Sequence, residues 1–174
     1  MKKVKYKLDF EIDKLTRSIE NIATGDSFQT EISLITVPDL KIVTKRTGWK
    51  FDWRHEFKQI ERGVYKLTIA GNPLVIQGLI SMEDRPGYLY MHLLESAPFN
   101  LGKGKVYLGV PGNLVAFACL RSFQMGNDGY ISFQSKTKLI DHYRKSLGAT
   151  FVGGHNLMIE TEAATKLVMQ YFKS

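Results

Sequence analysis

Cysteine is almost missing: the 174-residue chain has one, Cys119. A single thiol excludes an internal disulfide and a cysteine-rich metal site, and a reducing cytoplasm is the expected home. No uninterrupted apolar run is long enough to cross a bilayer. The start, Met1-Lys-Lys-Val-Lys-Tyr-Lys-Leu8, is basic without a following apolar segment or a small-residue cleavage site, so an unexported, soluble protein with no membrane partner is expected. Histidines at metal-ligand spacing are also lacking. His55, His92, His142 and His155 are scattered, and no zinc or other metal site is expected. The run Gly102-Lys-Gly-Lys105 has neither the hydroxyl residue nor the spacing of a P-loop, and no serine-hydrolase elbow occurs, which argues against nucleotide hydrolysis and serine catalysis. Cys119 itself lies in an apolar stretch without an adjacent base and reads as packing.

What is present fits one ordinary domain. The length and the 44% hydrophobic content suffice to bury a real core. Lysine and arginine number 24 against 17 acidic residues, a net charge of +7. That excess suits an acidic partner, whether a nucleotide cofactor, a nucleic acid or the anionic environment of a cell. The basic residues are spread along the chain, densest at Lys2, Lys3, Lys5 and Lys7 and at Lys103 and Lys105.

Periodicity then sorts the chain into elements. Ile12, Leu15, Ile19 and Ile22 recur at three- and four-residue steps, which predicts a helix between Phe10 and Thr24 ended by Gly25. Phe28 to Thr36 alternates and is rich in Ile and Thr, as a strand is, up to the turn Pro38-Asp39. A short strand is expected over Leu40 to Thr44. Trp49, Phe51 and Trp53 alternate like a strand, whereas Trp53, Phe57 and Ile60 share a helical face; a strand entering a short helix near Asp52 accommodates both. Val64 to Ala70, Leu74 to Met82 and Tyr88 to Glu95 read as an antiparallel meander, separated by the turns Gly71-Asn-Pro73 and Asp84-Arg-Pro-Gly87. The irregular stretch from Ser96 to Leu108 is long for a connection.

The next stretch, Tyr107 to Gly126, is the one around which the chain is organised. A turn with Gly109, Pro111 and Gly112 runs straight into an apolar helix, with Asn113 as its expected N-cap and Gly126 as the residue after its last turn. Backbone amides at a helix N-terminus beside a sheet are where proteins hold phosphate; an ordinary tight turn is the competing reading. Beyond it come a strand, Tyr130 to Phe133, a helix capped by Ser135 and running to Ser146, and Gly148. Short strands then flank Gly153-Gly154, and a final helix runs from Thr161 to Phe172.

The order of these elements resembles the GNAT acyltransferase superfamily, most specifically from Leu94 to Gly148 and more broadly from Val64 to the C-terminus. The resemblance implies an α/β (α+β) fold with a central mixed, mostly antiparallel sheet flanked by helices. It also implies a single domain over residues 1–174, with a divergent part over 1–60 and a cofactor-binding part over 64–174. The implied function is acyl-CoA-dependent N-acyl transfer, with acetyl-CoA (coenzyme A) as cofactor and direct attack by an amine. The cofactor would lie along Leu94, Gly109, Val110, Pro111, Gly112, Asn113, Leu114 and Ser135. Glu95 would be the base and Tyr143 the acid that protonates the departing thiolate; an exposed strand-terminal carboxylate and a packed aromatic are the plainer readings of those two. The family's pyrophosphate motif has two incomplete registers here. With Gly109 as the first glycine its basic position falls on Val106 and its last on Pro111; with Gly112, these fall on Gly109 and Leu114. The acceptor amine is left open among a small molecule, a protein or peptide, and a charged tRNA.

A second class of function stays open beside it. Trp49, Phe51 and Trp53 are interleaved with Lys45, Arg46, Lys50 and Arg54, and aromatics so placed stack on bases while cations touch phosphate. That pattern fits a non-catalytic nucleic-acid-binding module on an acyltransferase-like fold; tryptophans covering a sheet edge explain it more simply.

Overall fold

Residues 5–172 are described in the computed structural model. The chain opens as a strap, Lys5 to Ser18, with no helix in it. It continues through β1 (Ile19–Asn21), β2 (Ser27–Phe28), β3 (Thr30–Leu34), α1 (Val37–Leu40), α2 (Trp53–Lys58), β4 (Arg62–Ile69), β5 (Asn72–Arg85) and β6 (Tyr88–Ser96). The second half adds β7 (Tyr107–Leu108), α3 (Val110–Gln124), β8 (Ile131–Gln134), α4 (Ile140–Leu147), β9 (Thr150–Phe151), β10 (Asn156–Ile159) and α5 (Thr161–Phe172).

Among the described residues, seven strands form one sheet in the order β3-β4-β5-β6-β8-β10-β9, and β2-β1-β7 make a smaller one. Neighbours in the large sheet are antiparallel except β6 and β8, which run parallel. The expected mixed, mostly antiparallel sheet is therefore present. Its meander β4-β5-β6 turns at Gly71 and Gly87, each at φ +83°, a left-handed conformation glycine adopts without strain.

The two faces of the sheet receive different helices. Gly78 faces α3, and a Cβ there would stand 2.7 Å from Val110 Cγ1 and 3.0 Å from Leu114 Cδ1. The missing side chain lets the helix lie close on β5. Ser81, three positions on, points to the opposite face, where its hydroxyl donates to Glu56 of α2 at 2.8 Å. Glu56 is also gripped by Arg62 Nη1, 2.8 Å from each carboxylate oxygen, so this fully buried carboxylate is paired. Such burial is tolerated only with a partner of this kind.

Five local expectations need correction. Trp49 to Phe51 is not a strand: the segment runs irregularly into α2, and the Lys50 and Phe51 N–H groups donate to the Glu95 carboxylate instead of to a neighbouring strand. No helix forms between Phe10 and Thr24. Leu8, Phe10 and Ile12 also alternate at period two, and the strap uses that period, with Leu8 and Ile12 buried and Asp9 and Glu11 exposed; Ile19 then enters β1. Leu40 to Thr44 is not a strand, because Thr36 and Asp39 cap each other reciprocally and start α1. Asn113 is not the N-cap of α3, which begins three residues earlier behind left-handed Gly109 (φ +93°). Ser135 caps no helix: its hydroxyl donates to the Lys136 carbonyl at 2.8 Å, and α4 begins at Ile140 after a short 3-10 turn.

Candidate functional site

The parallel pair β6/β8 is short. Leu89 pairs with Ile131 and Tyr90 with Ser132, and beyond these the two strands part. A bulge helps to part them, since Ser81 faces Leu93 while Met82 faces Met91, leaving His92 as the extra residue of β6. Bulges bend and twist the strand that carries them. The result is a cleft with the end of β6 on one side, the end of β8 on the other, and the N-terminus of α3 beside it.

At the β6 end, Glu95 is 5% exposed and accepts from the Lys50 N–H (2.7 Å), the Trp53 Nε1–H (2.8 Å) and, at longer range, the Phe51 N–H (3.4 Å). The strand-terminal carboxylate thus anchors the 50–53 segment and is not a free surface charge. Leu94 beside it is buried. On the other side, Tyr143 is fully buried, packed between Phe10 and Phe133 with ring centroids at 5.0 and 5.4 Å. Burial, reinforced by the charges of Asp9 and Glu11, pushes its phenol well up, and its hydroxyl donates to the Phe10 carbonyl.

The strap runs through this cleft. Leu8 forms a parallel bridge with Ser135, with the Leu8 N–H on the Gln134 carbonyl at 2.7 Å and the Lys136 N–H on the Leu8 carbonyl at 3.0 Å. The strap therefore takes up the pairing that β6 leaves unmade. Further along, the Ile12 N–H donates to His142 Nε2 at 2.8 Å. The Gly109 N–H donates to Asp13 Oδ1 at 3.1 Å, and Lys105 Nζ lies 3.1 Å from Asp13 Oδ2. The Thr16 N–H donates to the Tyr171 hydroxyl of α5, also at 3.1 Å. What is left open is a 250 Å³ cavity between the strap and the Glu95 region.

No protein-family model and no curated protein sequence matches the chain. Solved structures do. The spermidine/spermine N-acetyltransferase SpeG of Vibrio cholerae aligns over 79% of this chain and 96% of its own, at 13% identity and a TM-score of 0.52. AtaTR bound with AcCoA aligns over 79% and 97%, at 14% identity and a TM-score of 0.53. FeeM, an N-acyl amino acid synthase from uncultured soil microbes, aligns over 83% and 95%, at 11% identity and a TM-score of 0.53.

The chain has the GNAT fold.

Within the GNAT fold, the residues singled out from the sequence lie around one cleft without forming an open site. Leu94 and Glu95 stand on β6, Gly109 to Leu114 open α3, Ser135 follows β8, and Tyr143 is on α4. Several are turned to other work. Val110 and Leu114 pack against Gly78. Asn113 Nδ2 donates to the Thr30 hydroxyl of β3 at 3.0 Å. A Cβ on Gly112 would stand 2.3 Å from the Tyr171 hydroxyl and 3.0 Å from Leu15 Cδ2, and one on Gly109 would stand 2.8 Å from the Ser18 carbonyl oxygen. With the strap in place the cleft has no room for coenzyme A. The turn is covered by the strap, and 250 Å³ is below the roughly 300–1,000 Å³ of ordinary ligand pockets.

Asp13, Lys50 and His142 were not found from the sequence. The alternation Leu8, Phe10, Ile12 was the available signal for an extended strap, and nothing local marks Asp13 as the partner of Gly109. Trp49 and Trp53 are 5% and 1% exposed, so both indoles are spent on the core and are not available to stack on bases. Burial pushes the Cys119 thiol up, as suits a packing residue.

Proposed function

We propose that the chain is an acyl-CoA-dependent N-acyltransferase, moving an acetyl group from acetyl-CoA to an amine. The observation that carries the proposal is the parting of β6 and β8 beside the α3 turn, in a fold shared with the N-acetyltransferase SpeG and with AtaTR bound with AcCoA. Glu95, at the end of β6, is the carboxylate assigned to take the amine proton. Tyr143 is the phenol assigned to hold or give a proton on the opposite side. Gly109 to Leu114, with Leu94 and Ser135, are the residues assigned to the cofactor. We assign the acceptor by class alone, as an amine on a small molecule, a protein or peptide, or a charged tRNA.

One observation favours a second reading, a GNAT-fold module that does not catalyse: the strap fills the cleft and uses the Tyr143 hydroxyl. Burial of both tryptophans leaves half-buried Phe51 alone of the three aromatics that would have stacked on nucleic acid. Calorimetry with acetyl-CoA, followed by thiol release in the presence of polyamines, amino acids and peptide amines, separates the two. Binding with amine-dependent thiol release is expected; binding without release from any amine would favour the module, and no binding either by the wild type or by variants with a loosened Leu8–Thr16 segment would remove the transferase.

A further inference from the structure

We infer that the N-terminal strap, Leu8 to Thr16, is an autoinhibitory plug that occupies the cofactor cleft and must leave it before acetyl-CoA can bind. This inference rests on the transferase reading above. The strap engages, one after another, the elements to which that reading assigns the cofactor and, at Tyr143, proton transfer.

Leu8 pairs with the end of β8 at Ser135. The carbonyl of Phe10 holds the hydroxyl of Tyr143, and its ring lies on the same residue. The carboxylate of Asp13 sits on the Gly109 amide at 3.1 Å, at the entrance to α3. A helix N-terminus attracts negative charge, and Asp13 supplies it where a pyrophosphate would otherwise be held. Leu15 then covers Gly112.

The strap is attached in a way that permits release. It contributes no strand to either sheet beyond the single bridge at Leu8. Its polar ties to distant parts of the chain are separate contacts, each made by one or two atoms: to Gln134, Lys136 (including its ion pair with Asp9), Tyr143, His142, Lys105, Gly109, Gln170 and Tyr171. Asp9 and Glu11 between its buried residues are exposed. Local opening of a segment held this way costs less than global unfolding, and an equilibrium between covered and open cleft lowers the apparent cofactor affinity by the fraction open.

The test uses the full chain. Acetyl-CoA binding is measured by calorimetry on the wild type and on Asp13→Ala and Phe10→Ala, with amide hydrogen exchange of residues 8–16 in the wild type, with and without saturating acetyl-CoA. The expected results are at least about tenfold tighter binding by a strap variant and faster exchange of the Leu8, Ile12 and Thr16 amides in the bound wild type. Binding with the strap amides still protected would overturn the plug while leaving the transferase reading in place. Absence of binding by the wild type and both variants would overturn both. The exchange measurement needs no variant to fold, and binding by a variant alone, with none by the wild type, would support the plug.

Discussion

Replacing Glu95 by alanine tests whether this carboxylate organises the 50–53 segment. The side chain is 5% exposed and accepts two short hydrogen bonds, from the Lys50 N–H at 2.7 Å and the Trp53 indole at 2.8 Å, and a longer one from the Phe51 N–H at 3.4 Å. Alanine leaves two well-made donors without an acceptor. Each unsatisfied buried donor costs about 1–3 kcal/mol. Water entering the adjoining cavity moderates the loss, so a destabilisation of about 2–4 kcal/mol is expected. For a chain of this length, 1 kcal/mol corresponds to roughly 2–4 °C in Tm, which places the expected fall at roughly 5–15 °C. Glu95→Gln keeps one acceptor oxygen and should show about half of it. The assays are calorimetric melting and urea unfolding, where the midpoint should fall with an unchanged slope, and tryptophan emission, which should shift as the Trp53 indole loses its partner. A Tm within about 2 °C of wild type for both variants would refute the anchoring role and return Glu95 to an ordinary strand-end charge.

Other perturbations follow from single contacts. Gly78→Ala forces a Cβ to within 2.7 Å of Val110 and 3.0 Å of Leu114; overpacking of this kind costs about 1–3 kcal/mol, measurable as a lowered urea midpoint. Tyr143→Phe removes the bond to the Phe10 carbonyl and should destabilise by about 0.5–1.5 kcal/mol, speed exchange in the strap and, on the transferase reading, lower turnover without weakening acetyl-CoA binding. Asp39 titrates below its ordinary value: burial works upward, but hydrogen bonds from Lys66 and Thr36 and the Lys66 charge outweigh it. Its contribution to stability is therefore complete above the unfolded carboxylate value, about 4, and is lost as pH falls through the lower folded value. Asp39→Asn should be less stable at neutral pH and should lose less on acidification, as read from urea midpoints between about pH 6 and pH 2.5.

The meander and the turn-to-helix stretch were legible because their signals are local. Alternation marks β4 to β6, and glycines at φ +83° sit where their turns were expected. Asp52 does precede a short helix, capping it through the His55 amide at 2.9 Å. The strap was misread because two periods coexist in it, and its choice is made by distant partners: His142 for Ile12 and Tyr171 for Thr16. Asn113 and Ser135 are good caps in isolation, yet the Asn113 amide donates across to Thr30 of β3 and the Ser135 hydroxyl to the Lys136 carbonyl. The residues of the site were legible as types and positions in a pattern. Their engagement by the strap was not, since it depends on pairs separated by most of the chain.

Those separations bear on how the molecule is made. The contacts of Ile12 and Thr16 span 130 and 155 residues, so during synthesis the strap finds its partners only after α4 and α5 have emerged. Contacts of such long range form late, because closing the intervening loop is entropically costly. During synthesis the sheet can assemble from β3 through β8 with its cleft still uncovered, and the strap can close over it only afterwards.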